Sequence, residues 1–126
     1  MIIERVEFFN NLGQRLVGKI QREKSASGTG VVFCHGLFSS KDGYKITRLA
    51  ADIVGEGYTL LTFDFSFAGE SEGDMSQFSV RQEVRDLECA IAFFRQRGID
   101  RFHLMGSSMG GAVSLLHASK NPEGVL

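Results

Sequence analysis

Two β-prone stretches open the chain, residues 2–9 (IIERVEFF) and 14–22 (QRLVGKIQR), separated by Asn10-Asn11-Leu12-Gly13. Asn and Gly tolerate positive φ, so this pair reads as a β-hairpin. After a short polar connector (Ser25 to Gly30) the pattern changes. Val31-Val32-Phe33-Cys34 is a continuous apolar run, the mark of a strand buried on both faces. From Asp42 to Glu56 the apolar residues Ile46, Leu49, Ala50, Ile53 and Val54 recur at helical spacing and stop at Gly55 and Gly57. Tyr58 to Phe63 reads as a second buried strand. Ser79, with Gln82 three residues on, is a capping-box start for a helix. Its stripe is Val80, Val84, Leu87, Ile91 and Phe94, and it ends at Gly98. Phe102 to Met105 reads as a third buried strand, and a last helix runs to about Lys120, where Asn121-Pro122 stops it. A hairpin followed by strand–helix alternation predicts an α/β fold, with a mostly parallel sheet, right-handed crossovers and helices on both faces.

Composition narrows the picture modestly. Of 126 residues, 43% are hydrophobic, enough for the core of one small domain. Fourteen basic residues against 15 acidic give a net charge of −1, with no basic stripe, so neither nucleic acid nor a membrane surface is expected as a partner. No apolar run approaches the ~20 residues of a membrane span, and residues 1–4 do not resemble a signal peptide. Cys34 and Cys89 have neither metal-type nor redox spacing and lie in apolar stretches, so both read as buried free thiols of a cytoplasmic protein. No metal or organic cofactor is expected. The 15 glycines stand largely at the ends of apolar runs, which is punctuation of tight turns.

Three motifs carry chemistry. Gly106-Ser107-Ser108-Met109-Gly110 matches G-x-S-x-G and stands where a strand gives way to a helix. On so sharp a turn the residues two positions either side of the serine need to be small. The turn would thrust the Ser108 hydroxyl outward and aim the Met109 N–H at a developing oxyanion, near a positive helix N-terminus. His35-Gly36-Leu37-Phe38 ends the first buried strand, and a backbone N–H here should supply the second oxyanion donor. Leu37 is assigned that role, with Phe38 as the alternative, and His35 is read as a hydrogen-bonded support of the loop. The third motif is Asp64-Phe65-Ser66-Phe67-Ala68-Gly69-Glu70-Ser71-Glu72-Gly73.

In this order and spacing, from about residue 14 onward, the three motifs resemble the α/β-hydrolase family, in its esterase, lipase and serine-aminopeptidase-like branch. The family commonly has D-x-R-G-H-G-x-S at the third motif. This chain keeps Asp64, Gly69, Ser71 and Gly73 and departs at Ser66, Phe67 and Ala68. The resemblance implies a serine hydrolase that cleaves a small-molecule ester, or an amide, through an acyl-enzyme on Ser108. It also implies that residues 1–126 are the N-terminal portion of a single domain, because family members place the triad acid and histidine well after the serine. The histidines present do not fill that place. His117 lies nine residues along the helix, about 13 Å away, and His103 lies within the strand before the elbow. Glu70, Glu72 and Asp74 stand too early to be the triad acid and read as a solvated loop.

A hydroxyl without a base is a poor nucleophile, so the chain alone is expected to be inactive or very weak. Two other readings stay open: a non-catalytic hydrolase scaffold for binding or assembly, and one half of a split enzyme. The strand at 102–105 is expected to form an unguarded sheet edge and to promote self-association.

Overall fold

A computed structural model describes all 126 residues. Its strands are β1 (Ile2–Phe9), β2 (Arg15–Arg22), β3 (Gly30–Cys34), β4 (Thr59–Phe63) and β5 (Phe102–Gly106). The helices are α1 (Tyr44–Gly55), α2 (Val80–Gln96) and α3 (Met109–Lys120), with a single 3₁₀ turn at Met75–Gln77. The strands form one sheet in the order β1-β2-β4-β3-β5. β1 and β2 form the antiparallel hairpin, β2 runs antiparallel to β4, and β3 pairs parallel with both β4 and β5. This is the α/β arrangement the alternation implies.

Strand alternation sorts the core into two layers. Val32, Cys34, Leu61 and Phe63 pack with Leu87, Ile91 and Phe94 of α2 and Val113 of α3 on one face. Val31, Phe33 and Leu60 pack with Ile46, Ala50 and Val54 of α1 on the other. The hairpin turn rests on Asn10, whose Oδ1 accepts the Leu12 and Gln14 amides at 3.0 and 2.9 Å, while Gly13 takes φ +73°.

Several local expectations are corrected. α1 begins at Tyr44, not Asp42, and Leu49 lies exposed beside the buried line Ile46–Ala50–Val54. In α2 the expected Leu87, Ile91 and Phe94 are buried, but Glu83, Asp86 and Ala90 are buried with them, leaving Val80 and Val84 at the rim. The helix start is only half a capping box. Ser79 Oγ accepts the Gln82 amide at 3.0 Å, but the Gln82 side chain turns away to Asn11 and Asp86. Cys34 is buried, whereas Cys89 is only half-buried. β5 is not covered on both faces. Phe102 is buried, but Leu104 and Met105 are half-buried and His103 is exposed, because β5 is the last strand of the sheet.

Candidate active site

β3, β4 and β5 run parallel, so the segments that follow them meet at one end of the sheet. The turn after β5 depends on its glycines. A Cβ on Gly110 would run into the backbone of Cys34 and His35, and one on Gly106 would meet the backbone of Gly110 and Gly111. With both positions bare, α3 starts immediately against the ends of β3 and β5. Ser107 donates its amide to Cys34 O at 3.1 Å, and the Gly111 amide donates to Ser108 O at 2.9 Å.

Between these bonds Ser108 is held at φ +56°, ψ −119°. An L-residue reaches such a backbone only under constraint from its surroundings. Its side chain is exposed and neither caps the helix nor bonds to any other group. The Met109 amide, the first of α3, has no acceptor within the chain.

The segment after β3 lies directly against this turn. A Cβ on Gly36 would stand 3.2 Å from Ser107 O and 3.4 Å from the Ser108 Cβ. The amides of Leu37 and Phe38 also lack acceptors, and Phe38 sits at φ +62° with its ring exposed. Leu37 and Ser108 border one cleft of about 370 Å³, with Phe33, Gly36, Tyr44 and Ser107 among its walls. Met109 is not among them. The fold thus brings Ser108, Leu37 and Met109 to one end of the sheet, each with a polar group that the protein leaves unpaired.

No base accompanies them. His35 is buried beneath the loop, where its Nε2 accepts the Phe65 amide at 3.1 Å. Nδ1 therefore carries the proton, facing Gly36 O at 2.7 Å. Burial lowers its pKa, against the opposing pull of the Gly36 carbonyl, and keeps it neutral. His103 is exposed on β5 with its ring edge-on to Tyr58, and His117 is buried on α3 with Nδ1 unpaired. Cys34 lies buried below, and burial pushes its thiol up to about 12, which keeps it protonated. No group of three or more His, Cys, Asp or Glu residues stands ready to hold a metal ion.

The third motif forms a scaffold beside the cleft. Asp64 is fully buried and accepts the Glu70 amide at 2.9 Å, and Ser71 Oγ donates to Asp64 O at 2.7 Å. Gly69 is bare because a Cβ there would strike the Asp64 carboxylate. The acidic residues of this segment are more than a solvated loop. Glu70 pairs with Lys41 and Arg5, Glu72 accepts the Arg15 amide, and Asp74 caps the 3₁₀ turn.

Sequence reasoning missed several buried polar residues, among them Asn10, Lys41, Glu83 and Asp86. For Glu83 and Asp86 a signal was available. Shifting the α2 stripe back by one position, to 83, 86, 90 and 93, keeps helical spacing but runs through two charges. Lys41 had no such signal, because Asp64 and Glu70, which draw it inward, lie 23 and 29 residues away.

The alpha/beta hydrolase fold model matches residues 30–126. The chain is 34% identical over 95 residues to the quorum-quenching protein AidA of Acinetobacter baumannii, covering 72% of this chain and 31% of that protein. It is 32% identical over 101 residues to Lipase 1 of Psychrobacter immobilis, covering 80% of this chain and 30% of that one. Among solved structures, the esterase Pf2001 of Pyrococcus furiosus superposes with a TM-score of 0.84 at 26% identity, over 97% of this chain and 49% of the esterase. The chain therefore spans about a third of the length of these curated relatives. With the sheet order, the glycine-bounded turn at Ser108 and these matches in agreement, the chain belongs to the α/β-hydrolase family.

Proposed function

We propose that this chain carries the nucleophile and oxyanion donors of a serine hydrolase for small-molecule esters or, second, amides. The observation that carries this reading is the backbone of Ser108, held at φ +56° with a free, exposed hydroxyl at a strand–helix turn. In the reaction Ser108 Oγ attacks the carbonyl carbon and gives its proton to a base. The Leu37 and Met109 N–H groups hold the resulting oxyanion. Collapse expels the alcohol or amine and leaves an acyl-serine, which water then hydrolyses. Residues 1–126 hold no base for this proton, so turnover by this chain alone rests on its oxyanion donors. Such donors leave at most about 10³–10⁴-fold over water.

The test is chemical rescue. The purified chain and Ser108→Ala should hydrolyse p-nitrophenyl acetate at nearly equal rates. Added imidazole, a diffusible base, should raise the difference between them. No Ser108-dependent increment at any imidazole concentration would overturn the reading. Strong Ser108-dependent turnover without imidazole would reveal a base within these residues, with His35 the first to test.

A second observation supports self-association. Gly124 and Leu126 bond to Phe102 at the start of β5, both at 2.9 Å, and Val125 forms a single parallel bridge there. Alternation then turns the Leu104 N–H and C=O outward beyond this bridge, toward no strand. Beside them lie Ile53, Tyr58 and Met105 in an apolar hollow. A second copy pairing on this edge would cover both. Light scattering should show a dimer or larger species, and a monomer across micromolar concentrations would defeat the idea. The unpaired thiols Cys34 and Cys89 support a reducing setting, which we take to be the cytoplasm. No helix is long and apolar enough to cross a membrane.

A further inference from the structure

We propose that Lys41 is a positioning residue for the oxyanion loop, and that through Asp64 it fixes where the Leu37 amide stands relative to Ser108. The inference rests on the oxyanion role given to Leu37 above. The loop Gly36–Ser40 is held at both ends by neighbouring residues of one segment. At its start, His35 Nε2 accepts the Phe65 amide at 3.1 Å. At its end, the Lys41 amide donates to Asp64 Oδ1 at 2.7 Å and Lys41 Nζ to Asp64 Oδ2 at 3.0 Å. Between these points the loop has little of its own. Ser39 N–H bonds to Gly36 O at 3.1 Å, while the amides of Leu37 and Phe38 have no partner.

Phe38 makes this lack of internal support informative. Its φ of +62° is unfavourable for a bulky L-residue, and the residue is 83% exposed, so its own side chain does not hold that conformation. The constraint comes from the ends. At the Lys41 end it is strong. The side chain is only 4% exposed, and Nζ reaches Glu70 at 2.7 Å and Asp42 at 3.1 Å as well as the fully buried Asp64. Burial disfavours the lysine's charge, and these carboxylates outweigh that effect and hold it protonated. A buried cation with one fully buried anionic partner fixes geometry in a way a surface pair does not. Because Gly36 lies against Ser107 and the Ser108 Cβ, a displaced loop moves the Leu37 amide relative to the nucleophile.

The experiment compares the 126-residue chain with Lys41→Met and Lys41→Arg, by backbone ¹⁵N relaxation and by imidazole-rescued, Ser108-dependent turnover. In Lys41→Met the order parameters of Leu37 to Ser40 should fall below about 0.6, with α2 and Met109 unchanged. Lys41→Arg should restore them. Rescued kcat should fall roughly 100-fold in Lys41→Met with KM little changed, as expected for a misplaced oxyanion donor. Unchanged order parameters at 37–40, or a loss of order spread evenly over the domain, would overturn the proposal. If the parent chain shows no rescued turnover, the hydrolase reading fails, and the order parameters still decide whether Lys41 sets the loop. Should Lys41→Met not fold, Asp64→Asn keeps an acceptor for the Lys41 amide while removing the one fully buried charge that Nζ meets. The same local loosening at 37–40 is then expected, and its absence would count against the proposal equally.

Discussion

Around the hairpin turn and the segment after β4, nearly every buried polar group has a partner. Asp86 accepts from Asn10, Ser66 and Gln82, Asp64 from Lys41 and Glu70, and His35 from Phe65. A few residues away, around Ser108, the pattern inverts: the Ser108 hydroxyl and the amides of Leu37 and Met109 bond to nothing in the protein. Both regions use constrained backbone, and Phe38, Phe67 and Ser108 are the only non-glycine residues at positive φ. What separates them is where the polar groups are directed. In the first region they close on each other and hold the fold. In the second, constrained backbone keeps donors and a hydroxyl without partners inside the protein.

The strongest way to break this contrast is at the glycine that lets the two regions meet. Gly110→Ala places a methyl against the Cys34 carbonyl, which is backbone and has nowhere to move. The expected loss is more than about 3 kcal/mol, or failure to fold, read by urea denaturation. Gly111→Ala is the control. Its methyl would stand 3.7 Å from Gly106 O, in ordinary contact, and alanine favours the helix by about 1 kcal/mol. Equal losses in the two variants would mean that helix composition, not the approach to β3, governs the turn.

Glu83 is the carboxyl that breaks the rule on the well-paired side. It is fully buried, neither oxygen has a partner, and burial with Asp86 nearby raises its pKa from 4.5 to about 7. The folded state therefore keeps a proton that the unfolded chain releases. Stability should fall as pH rises from 4.5 to 7 and then level off, by about 3 kcal/mol in all. His35 and His117, whose pKa values burial lowers, act in the opposite sense, costing stability as pH falls below 6.5. The clean measurement is thus the difference between the wild type and Glu83→Gln across this range. A flat difference would mean that Glu83 stays ionised and has a partner in solution.

Truncating one member of each region sharpens the comparison. Asp86→Ala strands the Ser66 amide and one proton of Asn10 in the interior. The expected loss is about 2 kcal/mol, measured at pH 5, below the raised pKa of Glu83 in the parent protein. Ser108→Gly removes a side chain that bonds to nothing and relieves a positive φ. Its stability should be unchanged or higher by up to about 1 kcal/mol. A clear loss in Ser108→Gly would show that the hydroxyl serves the fold.

The sequence made the fold and the turn legible because both rest on local signals. Continuous apolar runs marked β3 and β4, helical spacing marked α1 and α2, and Gly106 and Gly110 marked the elbow within five residues. The buried ion pair of Lys41 with Asp64 was not legible. A lysine in Ser39-Ser40-Lys41-Asp42 looks like any surface lysine until tertiary folding brings Asp64 to it. Leu104 and Met105 looked like core for a related reason. Apolar character says that a residue can be buried, but exposure at a sheet edge depends on which strands are neighbours. The α2 stripe was legible in part: Leu87, Ile91 and Phe94 are core, but Glu83 and Asp86 are buried beside them, and charge at a core-facing position is what pattern reading discounts.

The smallest effect is expected at Phe67, which occupies a position where the family commonly has glycine. Its φ is +70°, so glycine would relieve about 1 kcal/mol of backbone strain. Against that, the Phe67 ring packs edge-on against Phe78 at 5.3 Å, a contact worth about 0.5–1.5 kcal/mol. Glycine would also free the unfolded chain, at a cost of about 0.4–1 kcal/mol. The Phe67 amide donates to Glu72 O at 2.8 Å and would keep that bond after substitution. These terms nearly cancel, so Phe67→Gly should change stability by less than about 1 kcal/mol, with a slight loss favoured. Neighbouring Gly69, whose Cβ would enter the Asp64 carboxylate, tolerates no such exchange in the other direction. A loss above about 2 kcal/mol in Phe67→Gly would identify the Phe67–Phe78 pair as an anchor of the loop in its own right. A gain would mean that positive φ at a bulky residue costs more here than the aromatic contact returns. Only that second result would place Phe67 with Ser108 and Phe38, as backbone held in a state its own side chain does not support.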